Sequence, residues 1–236
     1  LQQMNSILEL ALSQSKTAEA LVEVFQELGK DIHDDDLIKW YGTDANYYYI
    51  PNQLCIPILR TLMEQSIAEE PKKVLDRLEE LKRKHSDNGE LSMVMDYDIL
   101  VARFYECVLS LGSLTLNHPD DYLEKYRSEY FLIDQLYRLS IENYYKISPS
   151  ISLYETVQKV KLGLDSHYAK LCNRINLEWM RCVKEAGGMT AVHALRQQDF
   201  YESQIKPIQK KVVVIISDAL RYEVAQELIG VLAKIK

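Results

Sequence analysis

Apolar residues recur at intervals of three and four through most of this 236-residue chain. The clearest stripe stops at Gly112 and consists of Val94, Tyr97, Val101, Phe104, Val108 and Leu111. An α-helix turns once every 3.6 residues, so this spacing places all six side chains on one face. The stripe therefore predicts an amphipathic helix, and similar stripes elsewhere predict a mainly helical fold.

Residues that cap or break helices divide the rest of the chain. Pro71 and Pro119 suit the first turn of a helix, and Gly187 and Gly188 suit a helix end. The further predicted helices cover residues 2–12, 17–28, 35–41, 52–68, 71–84, 119–144, 152–186 and 190–205. Because no fixed period relates these segments, the sequence favours an irregular helical bundle over a repeat solenoid.

One segment near the end differs from all of these. Val212 to Ile216 is a run of five apolar, mostly β-branched residues, which is typical of a strand buried inside a parallel sheet. We expect a strand over 211–217, a helix over 220–234 and a domain boundary near Pro207. The predicted fold class is mainly α: a helical region over 1–207, followed over 208–236 by the first strand and helix of a truncated α/β domain.

Composition restricts the class of protein. The chain is 47% hydrophobic and 27% charged, which is typical of a globular protein, and its net charge of −7 argues against a nonspecific nucleic-acid surface. No apolar run approaches the roughly 18 residues that cross a bilayer, so we expect a cytoplasmic protein. The cysteines lack CxxC spacing and are predicted to be buried reduced thiols: Cys55, Cys107, Cys172 and Cys182.

The histidines show no metal-binding spacing. Without an HExxH motif or a similar pair, each is predicted to be a surface residue or a hydrogen-bonded core residue. They are His33, His85, His118, His167 and His193.

Asp218 follows the predicted strand directly. Ligands and metals collect beyond the carboxyl ends of strands in α/β sheets, and a carboxylate suits zinc, manganese or magnesium. Ser217 and Asp218 could equally be caps of the following helix, and that interpretation is the more common one for such residues. Spacing alone does not decide between a metal ligand and a cap.

The string VVVIISDALRYEVAQEL, residues 212–228, resembles the opening of the PglZ domain. This domain is a branch of the alkaline phosphatase superfamily, and the resemblance is strongest to its form in type 1 BREX bacteriophage-defence systems. LYETVQKVKLGLDSHYAKLCNRINLEW and QQDFYESQIKP, residues 153–179 and 197–207, resemble the helical region that precedes that domain. The resemblance implies that this chain is the amino-terminal part of a longer protein.

The resemblance also implies a chemistry for the parent protein. It would be a phosphatase or phosphodiesterase that uses zinc or another divalent metal, with Asp218 as one metal ligand. Arg221, Tyr222 and Glu223 belong to the same signature without an assigned role. The nucleophile and the other ligands would lie further along, so no catalytic residue is predicted here. We expect this chain alone to be inactive and to bind no such metal.

Three functions remain open for the chain. The leading hypothesis is a scaffold or interaction region of a BREX phosphatase, with BrxB or the methyltransferase PglX as the suggested partner. The alternatives are an active metal-dependent phosphohydrolase and a nucleic-acid-binding helical domain. A tyrosine stripe is a candidate protein interface: Tyr126, Tyr130, Tyr137 and Tyr144.

Overall fold

The computed structural model describes residues 52–66, 70–84 and 89–235, with a few isolated positions nearer the amino terminus. The helices predicted at 2–12, 17–28 and 35–41 lie outside the continuously described residues. Elsewhere the mainly α prediction is confirmed. The helices are α1 (Asn52–Ser66), α2 (Pro71–Lys84), α3 (Gly89–Ser110), α4 (Pro119–Lys125), α5 (Phe131–Tyr144), α6 (Tyr154–Glu185) and α7 (Tyr222–Leu232).

The chain divides into two compact units. The first comprises Leu1–Val108 and Leu136–His167, and the second comprises Leu109–Gln135 and Tyr168–Lys236. The domain boundary that the sequence predicts near Pro207 stays a prediction, and residues 208–235 belong to the second unit.

The first unit contains a hydrophobic core of aliphatic and aromatic side chains. In this unit α1 packs against α2, and the stripe of α3 points inward as the sequence predicts. The largest fully buried side chains there are Leu59, Leu62, Met63, Leu78, Leu81, Met95, Tyr97, Phe104, Leu153 and Leu164. Burying each such side chain stabilises the fold by roughly 1.5 to 3 kcal/mol before the entropy of ordering it is subtracted.

The first unit also buries a carboxylate. Asp98 on α3 is fully buried, and the hydroxyl of Ser66 donates a hydrogen bond of 3.1 Å to its Oδ1. Burial favours the neutral acid over the carboxylate and raises the pKa of Asp98 to about 7. A single hydroxyl donor offsets little of the free-energy cost of burying an ionised carboxylate.

Part of the tyrosine stripe lies in the first unit and makes contacts there. The hydroxyl of Tyr137 donates a hydrogen bond of 3.1 Å to Asp165 on α6. The ring of Tyr144 lies 6.1 Å from that of Tyr97 and 6.4 Å from that of Tyr154. Tyr137 and Tyr144 are half-buried and make these contacts within the first unit, and the role of the stripe as a protein interface stays a prediction.

Glycine ends α6 as the sequence predicts. The amide of Gly188 donates to the carbonyl of Val183 at 2.8 Å, and that of Gly187 donates to Lys184 at 3.2 Å. The φ angles of +92° and +107° at Gly187 and Gly188 belong to the left-handed region that favours glycine. Together these bonds form a Schellman motif, which satisfies carbonyls that the helix leaves open.

The helix predicted over 190–205 is wrong as a continuous element. The structure has two short 3₁₀ turns, Met189–Ala191 and Gln197–Asp199, followed by a π turn at Tyr201–Ile205. No residue of these three turns is buried. A helix gains most of its stability from an apolar face packed on a core, and these turns have no such face to bury.

The predicted strand at 211–217 stays a prediction. The structure assigns no strand within the described residues, and Val213, Ile215 and Ile216 are 77%, 88% and 90% exposed. A strand is defined by hydrogen bonds to a neighbouring strand, which these residues lack in the described part of the chain. The helix predicted next is confirmed as α7.

Two expectations from composition concern thiols and membranes. Cys107, Cys172 and Cys182 are free thiols, as predicted, but of these three only Cys182 is buried, whereas Cys107 and Cys172 are half-buried. The side chain of Cys55 lies outside the described part of the structure. None of the helices in the described ranges has both the length and the apolar composition that a bilayer-spanning segment needs.

Candidate functional site

A π turn joins α4 to α5. The sequence predicts one helix from Pro119 to Tyr144, but the structure inserts a π turn at Tyr126–Tyr130 between α4 and α5. A π turn takes about 4.4 residues, so one π turn and one α turn together take about eight. Tyr126 therefore comes to lie on the same face as Asp134, and its hydroxyl donates a hydrogen bond of 2.6 Å to Asp134 Oδ2.

Asp134 accepts a second tyrosine hydroxyl from α6. Tyr168 donates to Asp134 Oδ1 at 2.9 Å, so each carboxylate oxygen has one phenol donor. Burial raises the pKa of both tyrosines, and the bond to Asp134 raises each further. The phenols therefore remain protonated donors at neutral pH.

Arg221, at the amino-terminal edge of α7, reaches this carboxylate. Arg221 Nη2 lies 4.0 Å from Asp134 Oδ2, and Arg221 Nε lies 2.7 Å from Oε1 of Glu223. Glu223 is fully buried. The guanidinium thus lies between two carboxylates, which offsets the cost of removing them from water. We call Tyr126, Asp134, Tyr168, Arg221 and Glu223 the Asp134 cluster.

Tyr222 adds an apolar contact beside the cluster. Its ring centroid lies 5.7 Å from that of Tyr126 and 5.7 Å from that of Phe131. Its hydroxyl donates to the carbonyl of Arg127 at 3.5 Å, a long hydrogen bond. The sequence assigned no role to Arg221, Tyr222 and Glu223. In the structure Arg221 and Tyr222 attach α7 to the π turn and to α5, and Glu223 pairs with Arg221.

Asp218 lies in an exposed turn four residues before α7. The residue that caps α7 is Arg221, without a hydrogen bond from its side chain, so the interpretation of Ser217 and Asp218 as caps is wrong. Ala219, between Asp218 and the helix, adopts a φ of +56° and breaks the helical path. Within the described residues Asp218 joins no group of three potential metal ligands, and its role as a ligand stays a prediction.

A second cluster was missed by sequence reasoning. His118, Asp120 and His193 come together in the second unit, although His193 lies 73 residues beyond Asp120. Local spacing contains no signal for such a group, because the fold brings the two segments together. His118 and His193 are otherwise the surface histidines that the sequence predicts.

The Asp134 cluster could have been found only in part. The predicted stripe includes Tyr126 and Tyr130, and Asp134 directly follows its Ile133. A carboxylate beside a buried stripe signals a specific partner, since burying a charge without one is costly. The partners themselves depend on the π turn and on contacts between distant segments.

Comparison with known proteins gives one similar relative. The chain is 28% identical over 137 aligned residues to the alkaline phosphatase-like protein PglZ of Bacillus cereus (strain H3081.97). The alignment covers 55% of this chain and 16% of that protein, so the chain spans a small part of the relative's length. No protein-family profile matches the sequence, and no solved structure matches the fold. The chain is therefore similar, over about half its length, to part of an alkaline phosphatase-like protein.

Proposed function

We propose that this chain is the helical scaffold of a PglZ-like, metal-dependent phosphatase or phosphodiesterase that acts in the cytoplasm in BREX phage defence. The similarity to an alkaline phosphatase-like protein supports the class of enzyme. The observation that carries the scaffold role is the Asp134 cluster. It includes Arg221 and Glu223, three and five residues beyond the proposed metal ligand Asp218.

The cluster would position the first ligand of a catalytic domain. Catalytic groups must be held to within a fraction of an ångström, and rigid elements achieve this better than loops. Asp218 lies on an exposed turn, but three residues later Arg221 anchors the chain to α5, with its Nη2 4.0 Å from Asp134 Oδ2. The helical region therefore fixes one end of the turn that carries Asp218.

The donor set around Asp218 fits only part of a metal site. A carboxylate suits zinc, manganese or magnesium, and zinc takes three or four protein donors at about 2.0 to 2.3 Å. In the described part of this chain Asp218 has no such companions, so it would hold an ion only with ligands from elsewhere in a longer protein. A bound ion would polarise the phosphoryl group and activate a nucleophile.

Phosphatase assays test this proposal. A protein that contains this chain and the rest of a PglZ-like domain should hydrolyse nitrophenyl phosphate or bis-nitrophenyl phosphate with zinc or manganese. Asp218→Ala should abolish that activity without changing the thermal midpoint, whereas exposed Asp121→Ala should change neither. Full activity of Asp218→Ala would reject the ligand role, and hydrolysis by the 236-residue chain alone would favour an active phosphohydrolase instead.

We also propose that the scaffold binds another BREX component, with BrxB and PglX as candidates. Besides the tyrosine stripe, we propose exposed apolar residues of the second unit as the contact surface. They are Leu177, Met180, Met189 and Leu195, each at least 59% exposed. Exposed apolar residues mark an interaction surface where they form one contiguous patch. Co-purification of the chain with each candidate, compared with Leu177→Ser and Met180→Ser variants, tests the assignment; equal capture by the variants would reject it.

A further inference from the structure

We propose that His118, Asp120 and His193 form a binding site for a divalent transition-metal ion, best suited to zinc, that fastens residues 189–199 to the start of α4. This site lies apart from Asp218 in sequence and does not depend on the phosphatase assignment. Its ligands all belong to the second unit.

The distances between donor atoms are close to those of a metal site. Asp120 Oδ2 lies 2.8 Å from Nδ1 of His193 and 3.7 Å from Nδ1 of His118. One donor atom from each residue lies within 4.8 Å of the other two. Donors about 2.1 Å from a tetrahedral zinc ion are about 3.4 Å apart, so small side-chain rotations would bring these three into place.

The backbone places two of the donors before any ion binds. His118 precedes Pro119 in an extended conformation, and its Nδ1 accepts a hydrogen bond of 3.3 Å from the amide of Asp120, which an ion bound at Nδ1 would replace. Proline at the first helical position fixes the backbone of that turn. His118 and Asp120 are therefore directed to the same side of the helix start.

The third donor is held by Asp120 itself. The backbone amide of His193 donates to Asp120 Oδ1 at 2.8 Å, which leaves Oδ2 facing the ring of His193. The ring of His193 lies nearly parallel to that of His118, with centroids 6.1 Å apart. The two imidazoles thus lie next to one another, beside a shared carboxylate.

The chemistry of this donor set favours zinc and its neighbours. Two imidazoles and one carboxylate are borderline ligands that bind zinc, cobalt and nickel more tightly than magnesium or calcium. With three protein ligands, a fourth position would remain for water or for a donor from another molecule.

Residues 189–199 would be the segment that gains most from the ion. They form two short 3₁₀ turns with no buried side chain, so little packing holds them. An ion bound by His193 and by the start of α4 would link this segment to a helix. Binding should therefore slow amide exchange and proteolysis in residues 189–199.

Zinc titration of the 236-residue chain tests the site. Calorimetry with zinc, and absorption spectra with cobalt, should show an ion that Asp120→Asn and His193→Ala each bind at least about 10- to 100-fold more weakly. His167→Ala, which removes an exposed histidine of the first unit, is the matched control and should bind as the unchanged chain does. Circular dichroism of each variant establishes that it is folded.

The competing explanation is that these residues form only a hydrogen-bonded cluster. In that case His193→Ala and Asp120→Asn would bind zinc as tightly as the unchanged chain, or none of the proteins would bind it. Either result would overturn the proposal, as would zinc binding that leaves amide exchange in residues 189–199 unchanged. Neither result would bear on the proposed phosphatase role of Asp218.

Discussion

The side-chain amide of Gln135 donates a hydrogen bond of 2.7 Å to the carboxylate of Glu227, 92 residues further along the chain. This bond joins α5 to α7 within the second unit, one helical turn beyond the contacts of Arg221 and Tyr222. The segment after the predicted strand is therefore attached to α5.

Removing the carboxylate of the Asp134 cluster should destabilise the second unit. Asp134→Ala leaves the hydroxyls of Tyr126 and Tyr168 without their acceptor, and each lost partner of a buried group costs about 1 to 3 kcal/mol. Asp134→Asn keeps one oxygen acceptor and should cost less. Urea denaturation followed by circular dichroism measures both variants.

Asp121→Asn is the control for this prediction. Asp121 lies on α4, in the same unit, but is exposed. Its substitution should therefore change the free energy of unfolding by less than about 0.5 kcal/mol. Equal stabilities of Asp134→Ala and the control would show that the cluster contributes nothing.

The ring of Tyr222, more than its hydroxyl, should hold α7. Tyr222→Ala removes contacts with Tyr126 and Phe131 and should lower the free energy of unfolding by about 1 to 3 kcal/mol. Tyr222→Phe keeps the ring and loses only the 3.5 Å hydrogen bond to Arg127, so a change below about 0.5 kcal/mol is expected. Hydrogen exchange in α7 reports the local effect, and similar losses in both variants would contradict this assignment.

The sequence predicts the helices far better than it predicts the contacts between them. The stripe of α3 and the glycine end of α6 are correct because periodicity and left-handed φ angles are properties of a short segment. The π turn at Tyr126–Tyr130 changes the register by a single residue, which apolar spacing cannot resolve. The Asp134 cluster and the group of His118, Asp120 and His193 join distant segments. Which residues meet in them follows only from the fold.

The failed helix over 190–205 illustrates the same limit. Its residues have adequate helix propensity, but propensity is a weak determinant without a core to pack on. The reverse applies to Val213, Ile215 and Ile216, which have high strand propensity and no neighbouring strand in the described structure. In both segments tertiary contacts decide the outcome.

Asp218 should be dispensable for the stability of this chain. Its side chain is exposed in a turn, and the helix that follows is capped by Arg221. Asp218→Ala should therefore change the free energy of unfolding by less than about 0.5 kcal/mol, measured by urea denaturation. A loss above about 1 kcal/mol would assign Asp218 a structural role and weaken the case that it is kept for metal binding.

Asp98 sets the direction of one pH effect. Its folded-state pKa of about 7 lies above the value of about 3.9 expected in an unfolded chain. Below about pH 4 both states hold the proton, and Asp98 costs nothing. Between about pH 4 and 7 the unfolded state releases the proton while the folded state retains it, so the free energy of unfolding falls as pH rises. Above about pH 7 Asp98 is ionised in both states, and the folded protein bears the full free-energy cost of the buried charge.

Asp98→Asn should remove this pH dependence, because the amide does not titrate and its oxygen can still accept from Ser66. Relative to the unchanged chain, the variant should gain roughly 2 to 4 kcal/mol of stability between pH 4 and pH 8. Urea denaturation across that range measures the difference, and the other carboxylates, common to both proteins, cancel from it. The exposed substitution Asp121→Asn should show no comparable gain. A difference between Asp98→Asn and the unchanged chain that stays constant from pH 4 to pH 8 would mean that Asp98 is already ionised in the folded protein at pH 4.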